Sequence, residues 1–412
     1  MIQFILAFNS VFLILVYIAV IKNIFFLLLN PFYTIKKLIR IKKYSALKDY
    51  NPKVSIIVPA WNEGVGIIST VESILANTYQ NLEVVIINDG STDNSHNIIK
   101  EFLGKITNKE KRGKIIYLIQ PNSGKGKALN KGIKKSTGQL ILTCDADSIL
   151  EKNAVENLIK YYIDTKIMAV VGNVKVTNTS TPTGIMQRIE YLFSFYNKRA
   201  HCVLGAEYIF GGACASFRRG VFDEIGFFDE INKTEDIDMS MRTRIHGMEC
   251  TYGEDVICYT EGASKLGDLI RQRTRWKKGR FDAFYTYRKF FFSFHPSHNK
   301  FLTWMILPMS MVTELQLLLE PIAVTFFVLI SIYSGDFITI FIGLLFMMMS
   351  YVIYGLFNSD KINFRLILSF PFTWISFYIL NWVEYFALLN SIKLLVTKKN
   401  IIWQKWDRKG IR

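Results

Sequence analysis

Residues 140–148, with the sequence LILTCDADS, decide how the rest of the chain is organised. A short apolar run ends there in two carboxylates, Asp145 and Asp147, separated by one residue. Side chains two positions apart on a strand point to the same face. Two hard oxygen ligands at the end of a strand suit a Mg²⁺ or Mn²⁺ that also holds phosphates. Since strands are often followed by a solvated acidic turn, the pair needs support from the surrounding sequence.

The composition predicts a large domain together with membrane segments. The chain has 412 residues, half of them apolar, and its mean hydropathy of +0.21 is high for a soluble enzyme with 20% charged residues. The apolar residues are concentrated in uncharged stretches at 2–21, 337–357 and 366–383. Each is close to the roughly 20 residues that cross a bilayer as a helix.

The N-terminal apolar segment has neither a basic leading region nor a small-residue cleavage site, so residues 1–30 are predicted to be a retained transmembrane helix. The following stretch, 31–53, is predicted to be a basic cytoplasmic linker. Its basic residues are Lys36, Lys37, Arg40, Lys42, Lys43, Lys48 and Lys53. The net charge of +16 fits either nucleic acid or anionic headgroups plus an anionic substrate. Because basic residues flank membrane segments and no nucleic-acid module is recognisable, we favour the second and expect no nucleic acid partner.

The five cysteines follow no metal-binding pattern. They include no C-x-x-C pair and no zinc spacing. This pattern fits reduced thiols in a cytosolic domain.

Between residues 54 and 143, buried strands alternate with helices. The strands are predicted at 54–59, 82–88, 115–119 and 140–143, and the helices at 67–77, 94–103 and 128–135. This alternation predicts an α/β domain with a mostly parallel sheet and ligands at the carboxyl ends of its strands. Asp89, Lys125, Asp145 and Asp147 all fall at that edge.

The stretch GKGK at 124–127 lacks the spacing of a P-loop, because Ala128 follows the second lysine. Its lysines are either a solvated helix start or cations placed near a diphosphate. Residues 209–219 combine small residues with two arginines, which allows either close backbone approach to a ligand or a tight strand crossing.

Two further segments carry candidate chemistry. Thr234 can cap a helix whose first turn contains Glu235 and Asp236, an arrangement that is either structural or catalytic. Residues 272–276, QRTRW, offer an arginine pair for a leaving diphosphate and a flat indole for a sugar ring. The alternative for this segment is a basic helix at the membrane surface.

Six ordered motifs between residues 54 and 280 resemble the processive, inverting family 2 glycosyltransferases. They are VPAWNE at 58–63, NDGS at 88–91, GK at 124–125 with ALN at 128–130, DAD at 145–147, TED at 234–236 and QRTRW at 272–276. Within that family the length and the arrangement of spans are most similar to synthases of poly-β-1,6-N-acetyl-D-glucosamine, a biofilm polysaccharide. Cellulose, chitin and hyaluronan synthases share the same motifs.

The resemblance implies a GT-A fold, that of nucleotide-diphospho-sugar transferases, for residues 54–280. It implies that Glu63, Asp89, Lys125 and Asp145 bind the donor. Asp147, together with Asp145, would coordinate a Mg²⁺ or Mn²⁺ that bridges the two phosphates.

The same resemblance assigns the acceptor side of the reaction. Asp236 would be the general base, because a sugar hydroxyl needs a carboxylate to take its proton as it attacks the anomeric carbon. Gln272, Arg273, Arg275 and Trp276 would hold the acceptor end and contact the diphosphate.

The C-terminal third is predicted to serve the membrane. Residues 281–300 interleave aromatic and basic residues and predict an amphipathic interfacial helix. A membrane region of two to four spans at 301–395 and a basic cytoplasmic tail at 396–412 follow. Residues 301–333 contain Pro308, Glu314, Glu320 and Pro321, and could form an interfacial helix plus a span or one re-entrant element.

These observations predict a multi-pass enzyme of the cell membrane with a cytoplasmic catalytic domain. Its expected partners are UDP-N-acetylglucosamine, the growing polysaccharide, the lipid bilayer and a small membrane accessory subunit. The alternatives are another β-glycan synthase and a non-processive transferase that glycosylates a lipid carrier. A transporter or receptor that senses nucleotide would leave Asp236 without a task.

Overall fold

The computed structural model describes residues 2–45, 50–178, 181–231, 234–335, 337–338, 373–399 and 410. Its centre is an eight-stranded sheet with the order β3-β2-β1-β4-β7-β6-β8-β5. The strands are β1 (Val54–Ala60), β2 (Leu82–Asp89), β3 (Ile115–Gln120), β4 (Leu140–Cys144), β5 (Ser148–Leu150), β6 (Ile167–Val176), β7 (Cys214–Arg218) and β8 (Glu249–Thr260).

The first four strands form the parallel half of the sheet. β1 lies between β2 and β4 and is parallel to both, and β3 continues the sheet beyond β2. Successive side chains of β1 pack in different hydrophobic cores, with Ile56 on one face of the sheet and Ile57 on the other. Burial on both faces explains why these strands read as continuous apolar runs. The predicted α/β fold class with a mostly parallel sheet is confirmed.

The second half of the sheet is mixed. β7 runs antiparallel to β4 and β6, β6 runs parallel to β8, and β5 pairs antiparallel with β8. The two carboxylates at 145 and 147 therefore lie in the connection between β4 and β5, near the middle of the sheet edge.

Helices cover both faces and extend from one end of the domain. Those in the described ranges are α1 (Ile2–Ser45), α2 (Ile67–Leu75), α3 (Ser95–Lys105), α4 (Lys109–Gly113), α5 (Lys125–Lys135), α6 (Ala154–Tyr161), α7 (Pro182–Val203), α8 (Arg219–Ile225), α9 (Glu235–Ile245), α10 (Leu266–Thr286), α11 (Leu307–Ser334) and α12 (Thr373–Val396). Side chains of α2, α3 and α6 pack on one face of the sheet. Those of α5, α8 and α9 pack on the other.

The predicted division between an N-terminal span and a basic linker is not seen. One helix, α1, runs through both segments to Ser45. Its basic part docks on the domain, because the buried Tyr33 hydroxyl donates to the Tyr252 carbonyl at 2.7 Å and Lys37 Nζ lies 2.7 Å from Glu254 Oε1. These contacts stabilise residues 31–45 as a helix rather than a linker.

The predicted interfacial helix at 281–300 is also wrong as a single element. Helix α10 ends at Thr286, and a short 3₁₀ turn follows at Arg288–Phe290. Phe284 and Phe290 are buried against the domain, and Phe291 packs edge-on against Phe284 with 5.2 Å between ring centroids, whereas Tyr285, Phe292 and Phe294 are exposed.

Two helices in the described ranges are long and apolar enough to cross a membrane, judged by length and composition. They are Leu302–Ser334, which comprises a π-helical turn followed by α11, and Ile375–Val396 within α12. Residues 301–333 thus form one continuous helical element. The predicted span at 337–357 lies outside the described residues apart from 337 and 338, as do the start of the 366–383 span and most of the tail at 396–412.

The packing of α5 predicts a stability effect at Gly132. A Cβ there would lie 2.6 Å from Ile57 Cγ2 and 2.6 Å from Ile87 Cδ1, so Gly132→Ala should overpack the interface at a cost of about 1–3 kcal/mol. Gly104→Ala on α3 is the matched control, because its Cβ would meet nothing within 4 Å. We expect a lower apparent melting temperature for Gly132→Ala and an unchanged or slightly higher one for Gly104→Ala. Equal melting temperatures would contradict this close packing.

Candidate active site

A cavity of about 910 Å³ opens at the carboxyl ends of β1, β2 and β4 and extends to α7, α10 and α11. Its walls contain every side chain that the sequence analysis singled out as a site residue. These are Glu63, Asp89, Lys125, Asp145, Asp147, Asp236, Gln272, Arg273, Arg275 and Trp276. The topology therefore gathers residues from six separate motifs around one space.

Asp89 organises the loop that leads into α5. Its Oδ1 accepts hydrogen bonds from Gln120 Nε2 at 2.7 Å and from the Ser123 amide at 2.9 Å, and its Oδ2 accepts from the Gly124 amide at 2.9 Å. Gly124 has a φ of 96°, which glycine adopts without strain. The Asp89 carboxylate therefore fixes the backbone turn at Ser123 and Gly124 in the cavity wall.

The loops after β1 and β2 are joined by Asn62. Its side-chain oxygen accepts hydrogen bonds from the backbone amides of Thr92 at 2.7 Å and Asp93 at 3.2 Å. Asn62 has a φ of 56°, a region in which asparagine is favoured among residues other than glycine. Next to it, Glu63 is buried and lines the cavity.

Lys125 is held by carboxylates inside the cavity and is not a solvated helix start. Its Nζ lies 2.6 Å from Asp145 Oδ1 and 3.5 Å from Glu235 Oε1. Burial acts to lower the pKa of Lys125, but the carboxylates of Asp145, Glu235 and Asp236 more than offset it and raise the pKa above its ordinary value. The ammonium group is therefore charged at neutral pH and is paired with carboxylates in the cavity wall.

Asp145 and Asp147 both line the cavity, although they lie in the turn between β4 and β5 rather than on one face of a strand. The Ser148 hydroxyl donates to Asp147 Oδ1 at 3.2 Å. Within the described ranges no three histidine, cysteine or acidic side chains are arranged to hold a metal by themselves. Two hard carboxylates fit a Mg²⁺ or Mn²⁺ that takes its remaining ligands from substrate oxygens and water. GT-A glycosyltransferases commonly use such a divalent metal.

The first turn of α9 carries Asp236 into the cavity. Its Oδ2 accepts a hydrogen bond from the Gly212 amide at 3.0 Å, which orients the carboxylate. Glu235 also lines the cavity, and burial, opposed by Lys125 and reinforced by the Asp236 charge, raises the pKa of Glu235 to about 7. Asp238 does not line it, because its two oxygens accept from Tyr287 Oη at 2.6 Å and Arg242 Nε at 2.8 Å.

Helix α10 forms the opposite wall. The Arg273 guanidinium lies over the Trp276 ring, with 4.3 Å from Cζ to the ring centroid. Arg273 is also buried between two carboxylates, 2.6 Å from Glu190 Oε2 and 3.4 Å from Glu384 Oε1. Its charge is therefore already balanced by protein. Arg275 lines the cavity and makes no ion pair with any described residue.

The sequence analysis missed the carboxylates that neutralise α10. Lys277 Nζ lies 2.8 Å from both Glu314 Oε2 and Glu384 Oε2, and Arg280 Nη1 lies 2.7 Å from Glu314 Oε1. The sequence signal for these pairs was the presence of Glu314 and Glu384 inside apolar segments, because a charged side chain in such a segment normally faces a partner. The positions 273, 277 and 280 share one helix face and could have supplied that partner.

Comparisons with a family profile, curated relatives and solved structures show which proteins this chain is similar to. Residues 55–226 match the profile described as Glycosyl transferase family 2. Curated relatives include the poly-beta-1,6-N-acetyl-D-glucosamine synthases of Staphylococcus aureus (strain COL), 32% identical, and Staphylococcus epidermidis, 31% identical, each over 228 residues. Each match covers 55% of this chain and 54% of the relative, so the chain spans about half the length of the curated relatives it matches.

Among solved structures, the fold is similar to the mannosyltransferase PcManGT from Pyrobaculum calidifontis in complex with GDP-Man and Mn²⁺. That match has a TM-score of 0.58 and 17% identity, and it covers 92% of this chain and all of the other. The resemblance predicted from the six motifs and the predicted GT-A fold are both confirmed. Residues 55–226 are thus similar to the family 2 glycosyltransferases, and the fold that contains them is of the GT-A type.

Proposed function

We propose that this enzyme is a membrane-embedded, processive, inverting transferase that polymerises N-acetylglucosamine from UDP-N-acetylglucosamine into a β-1,6-linked polysaccharide. The observation that carries the proposal is the continuity of the cavity. It runs from Asp89 and the carboxylate pair, past Asp236 and Trp276, to Met309 and Thr313 on the apolar helix α11. An acceptor held along this path would have its end at the catalytic carboxylate and its body next to a candidate membrane helix.

The donor would occupy the half of the cavity at the strand ends. Asp145 and Asp147 would hold a Mg²⁺ or Mn²⁺, which neutralises charge on the two phosphates when bound. Lys125 supplies a fixed positive charge 2.6 Å from Asp145, on the same side. Glu63 and Asp89 lie on the walls that would contact the nucleoside part.

Asp236 would act as the general base. Its carboxylate takes the proton of the acceptor hydroxyl as that oxygen attacks the anomeric carbon. Backbone amides hold this carboxylate in place, since Oδ2 accepts from Gly212 at 3.0 Å and Oδ1 accepts from Ile237 at 2.9 Å. Attack from the face opposite the diphosphate inverts the anomeric centre, so an α-linked donor gives a β-linked product.

Helix α10 would serve the acceptor and the leaving group. Trp276 offers a flat ring for the terminal sugar, with Gln272 beside it on the cavity wall. Arg275 would offset the charge that develops on the diphosphate. Arg273 would act indirectly, because its guanidinium holds the indole from one face while Glu190 and Glu384 neutralise its charge.

The membrane arrangement belongs to the same proposal. Residues 54–280 would be the cytoplasmic transferase domain, and α1, residues 301–395 and a small accessory subunit would complete the membrane part of a multi-pass enzyme of the cell membrane. The candidate membrane helices Leu302–Ser334 and Ile375–Val396 support this assignment. The runner-up is a non-processive transferase to a lipid carrier, which the same opening toward α11 would accommodate.

Product analysis tests the proposal directly. Membranes that contain the protein are incubated with Mg²⁺ or Mn²⁺ and one radiolabelled UDP-sugar at a time. We expect only UDP-N-acetylglucosamine to give a polymer, with β-1,6 linkages, and chelation by EDTA to abolish it. A lipid-extractable product with a single added sugar would support the runner-up, and glucose or alternating sugars in the polymer would indicate a sister synthase.

The general base is tested by Asp236→Asn. Asparagine keeps the shape of the side chain but accepts no proton, so polymer synthesis should fall by roughly 10²-fold or more while donor binding survives. Asp238→Asn is the matched control, because Asp238 binds Tyr287 and Arg242 away from the cavity. Donor affinity is measured by titration and turnover by UDP release. Near wild-type turnover in Asp236→Asn would transfer the role to Glu235.

Acceptor stacking is tested by Trp276→Ala, with product length as the readout. A stacking contact is worth about 1 kcal/mol, so its loss should weaken the grip on the terminal sugar several-fold at every addition. We expect shorter polymer or none, with donor binding intact. Trp304→Ala is the control, since this indole is 42% exposed and packs on Phe292 and Phe294 outside the cavity. Unchanged product length in folded, membrane-bound Trp276→Ala would exclude the platform role.

A further inference from the structure

Helix α7 lies along the cavity, although no motif of the sequence indicated a role for it. Its cavity side carries a row of four polar side chains. Each follows the previous one after three or four residues, so they lie above one another on the helix. From the first to the last they extend over about 16 Å, at roughly 5.4 Å for each turn. This polar row consists of Glu190, Ser194, Asn197 and His201.

Ion pairs hold both halves of this part of α7 in place. In the first half Glu190 Oε2 lies 2.6 Å from Arg273 Nη2, and the Arg273 guanidinium lies over the Trp276 ring. In the second half Lys198 Nζ donates to Glu207 Oε1 at 2.5 Å, and both side chains are buried. The polar row therefore begins beside the indole proposed for the terminal sugar and continues along a helix whose position is fixed.

The polar row contains hydrogen-bonding groups that the protein itself does not use. Ser194 and Asn197 make no side-chain hydrogen bond with any residue in the described ranges, and Asn197 Oδ1 is buried without a partner. For Glu190 Oε1, too, the described residues provide no partner. A polar group that is shielded from water and unpaired costs free energy, which a ligand that hydrogen-bonds to it recovers. The row is therefore suited to a ligand with several hydrogen-bonding groups.

Aromatic rings lie beside the polar row, and the two kinds of side chain together fit a chain of sugars. Tyr191 and Phe195 line the cavity from the same helix, and Phe26 of α1 packs edge-on against His201 with 5.1 Å between ring centroids. A sugar ring has an apolar face that packs on an aromatic ring, and its hydroxyl groups both donate and accept hydrogen bonds. A lipid-linked phosphate fits less well, because its negative charge would lie beside the Glu190 carboxylate.

We propose that the polar row of α7 binds the sugars of the acceptor chain that follow its terminal unit. This inference rests on the proposed function, since it requires an acceptor that is itself a chain of sugars. The terminal sugar would stack on Trp276, with Glu190 beside it. The sugars behind it would lie along Ser194, Asn197 and His201, the last of which is next to α1. Long acceptors would then bind more tightly than short ones, which keeps a growing chain in place between additions.

Acceptors of defined length test this assignment. Full-length protein in detergent or nanodiscs is given its donor and soluble β-1,6-linked N-acetylglucosamine oligomers, from the disaccharide to the hexasaccharide. We expect the acceptor KM to fall several-fold once the chain is long enough to reach Asn197, and kcat to change little. If product analysis identifies another glycan, oligomers of that glycan replace these, so an error in the proposed sugar does not affect the test.

The variant Asn197→Leu shows whether α7 causes this gain. Leucine is close to asparagine in size but forms no hydrogen bond, and no bond within the described residues is lost, because Asn197 has no partner among them. The KM for long acceptors should rise several-fold, the factor that one hydrogen bond supplies, without a matching change in the KM for the disaccharide or in kcat. Asn97→Leu is the matched control, since Asn97 is exposed on α3 and outside the cavity. Thermal melting and donor affinity confirm that both variants are folded.

Three results would overturn the proposal. They are an acceptor KM that does not depend on chain length, an unchanged KM of Asn197→Leu for long acceptors, and a KM of this variant that rises equally for short and long acceptors. If the true acceptor is a polyprenyl phosphate that receives a single sugar, the proposed function is wrong and this inference falls with it. Product analysis detects that outcome independently of any effect of chain length, so the two failures are distinguishable.

Discussion

A chain of buried and partly buried ion pairs fixes helix α10 between the transferase domain and two apolar helices. It alternates in the order Glu190, Arg273, Glu384, Lys277, Glu314, Arg280, with α10 supplying all three cations. The carboxylates come from α7, α12 and α11, so four helices meet in one network. A buried charge that loses its partner costs about 3–5 kcal/mol, whereas a complete pair adds little net stability. The network therefore selects one arrangement of these helices more than it stabilises the fold.

The position of α10 affects two parts of the cavity wall, α10 itself and the turn that carries Asp236. Trp276 and Arg275 lie on the cavity side of α10, while Gly279 lies against Thr234, where a Cβ would approach Thr234 Oγ1 to 2.2 Å. Thr234 directly precedes the helix turn that carries Asp236. A larger residue at position 279 would push this turn away, so the position of α10 in the cavity wall and that of the Asp236 carboxylate depend on the same close contact. Helices α11 and α12 are thereby connected to the turn that carries Asp236, through their ion pairs with α10 and the contact between Gly279 and Thr234.

Sequence reasoning recovered the parts of this site that local rules determine. Strand alternation and turn residues place Asp89 and Asp145 at one sheet edge, because parallel strands align their carboxyl ends. Sequence reasoning did not identify contacts in which the partner residue comes from a distant segment of the chain. The pairing of Arg273 with Glu384 joins residues 111 positions apart, and the docking of Tyr33 on Tyr252 joins residues 219 apart. Nothing in the local pattern of 31–45 or 281–300 reveals which side chains, such as Tyr33 and Phe290, are buried against the domain while their neighbours stay exposed.

The ion pairs of α10 and of Lys37 also change how the positive net charge is interpreted. Part of it is internal, since the cations of α10 face glutamates and Lys37 faces Glu254 and Asp255. Other basic residues point outward, among them Lys36, Lys42 and Lys43 near the end of α1 and Lys393 on α12. Only this second set can attract anionic headgroups, because charges that are neutralised inside the protein contribute little field at its surface. The net charge of +16 therefore includes basic residues that pair with carboxylates inside the protein and basic residues on its surface. Composition alone cannot separate these two groups.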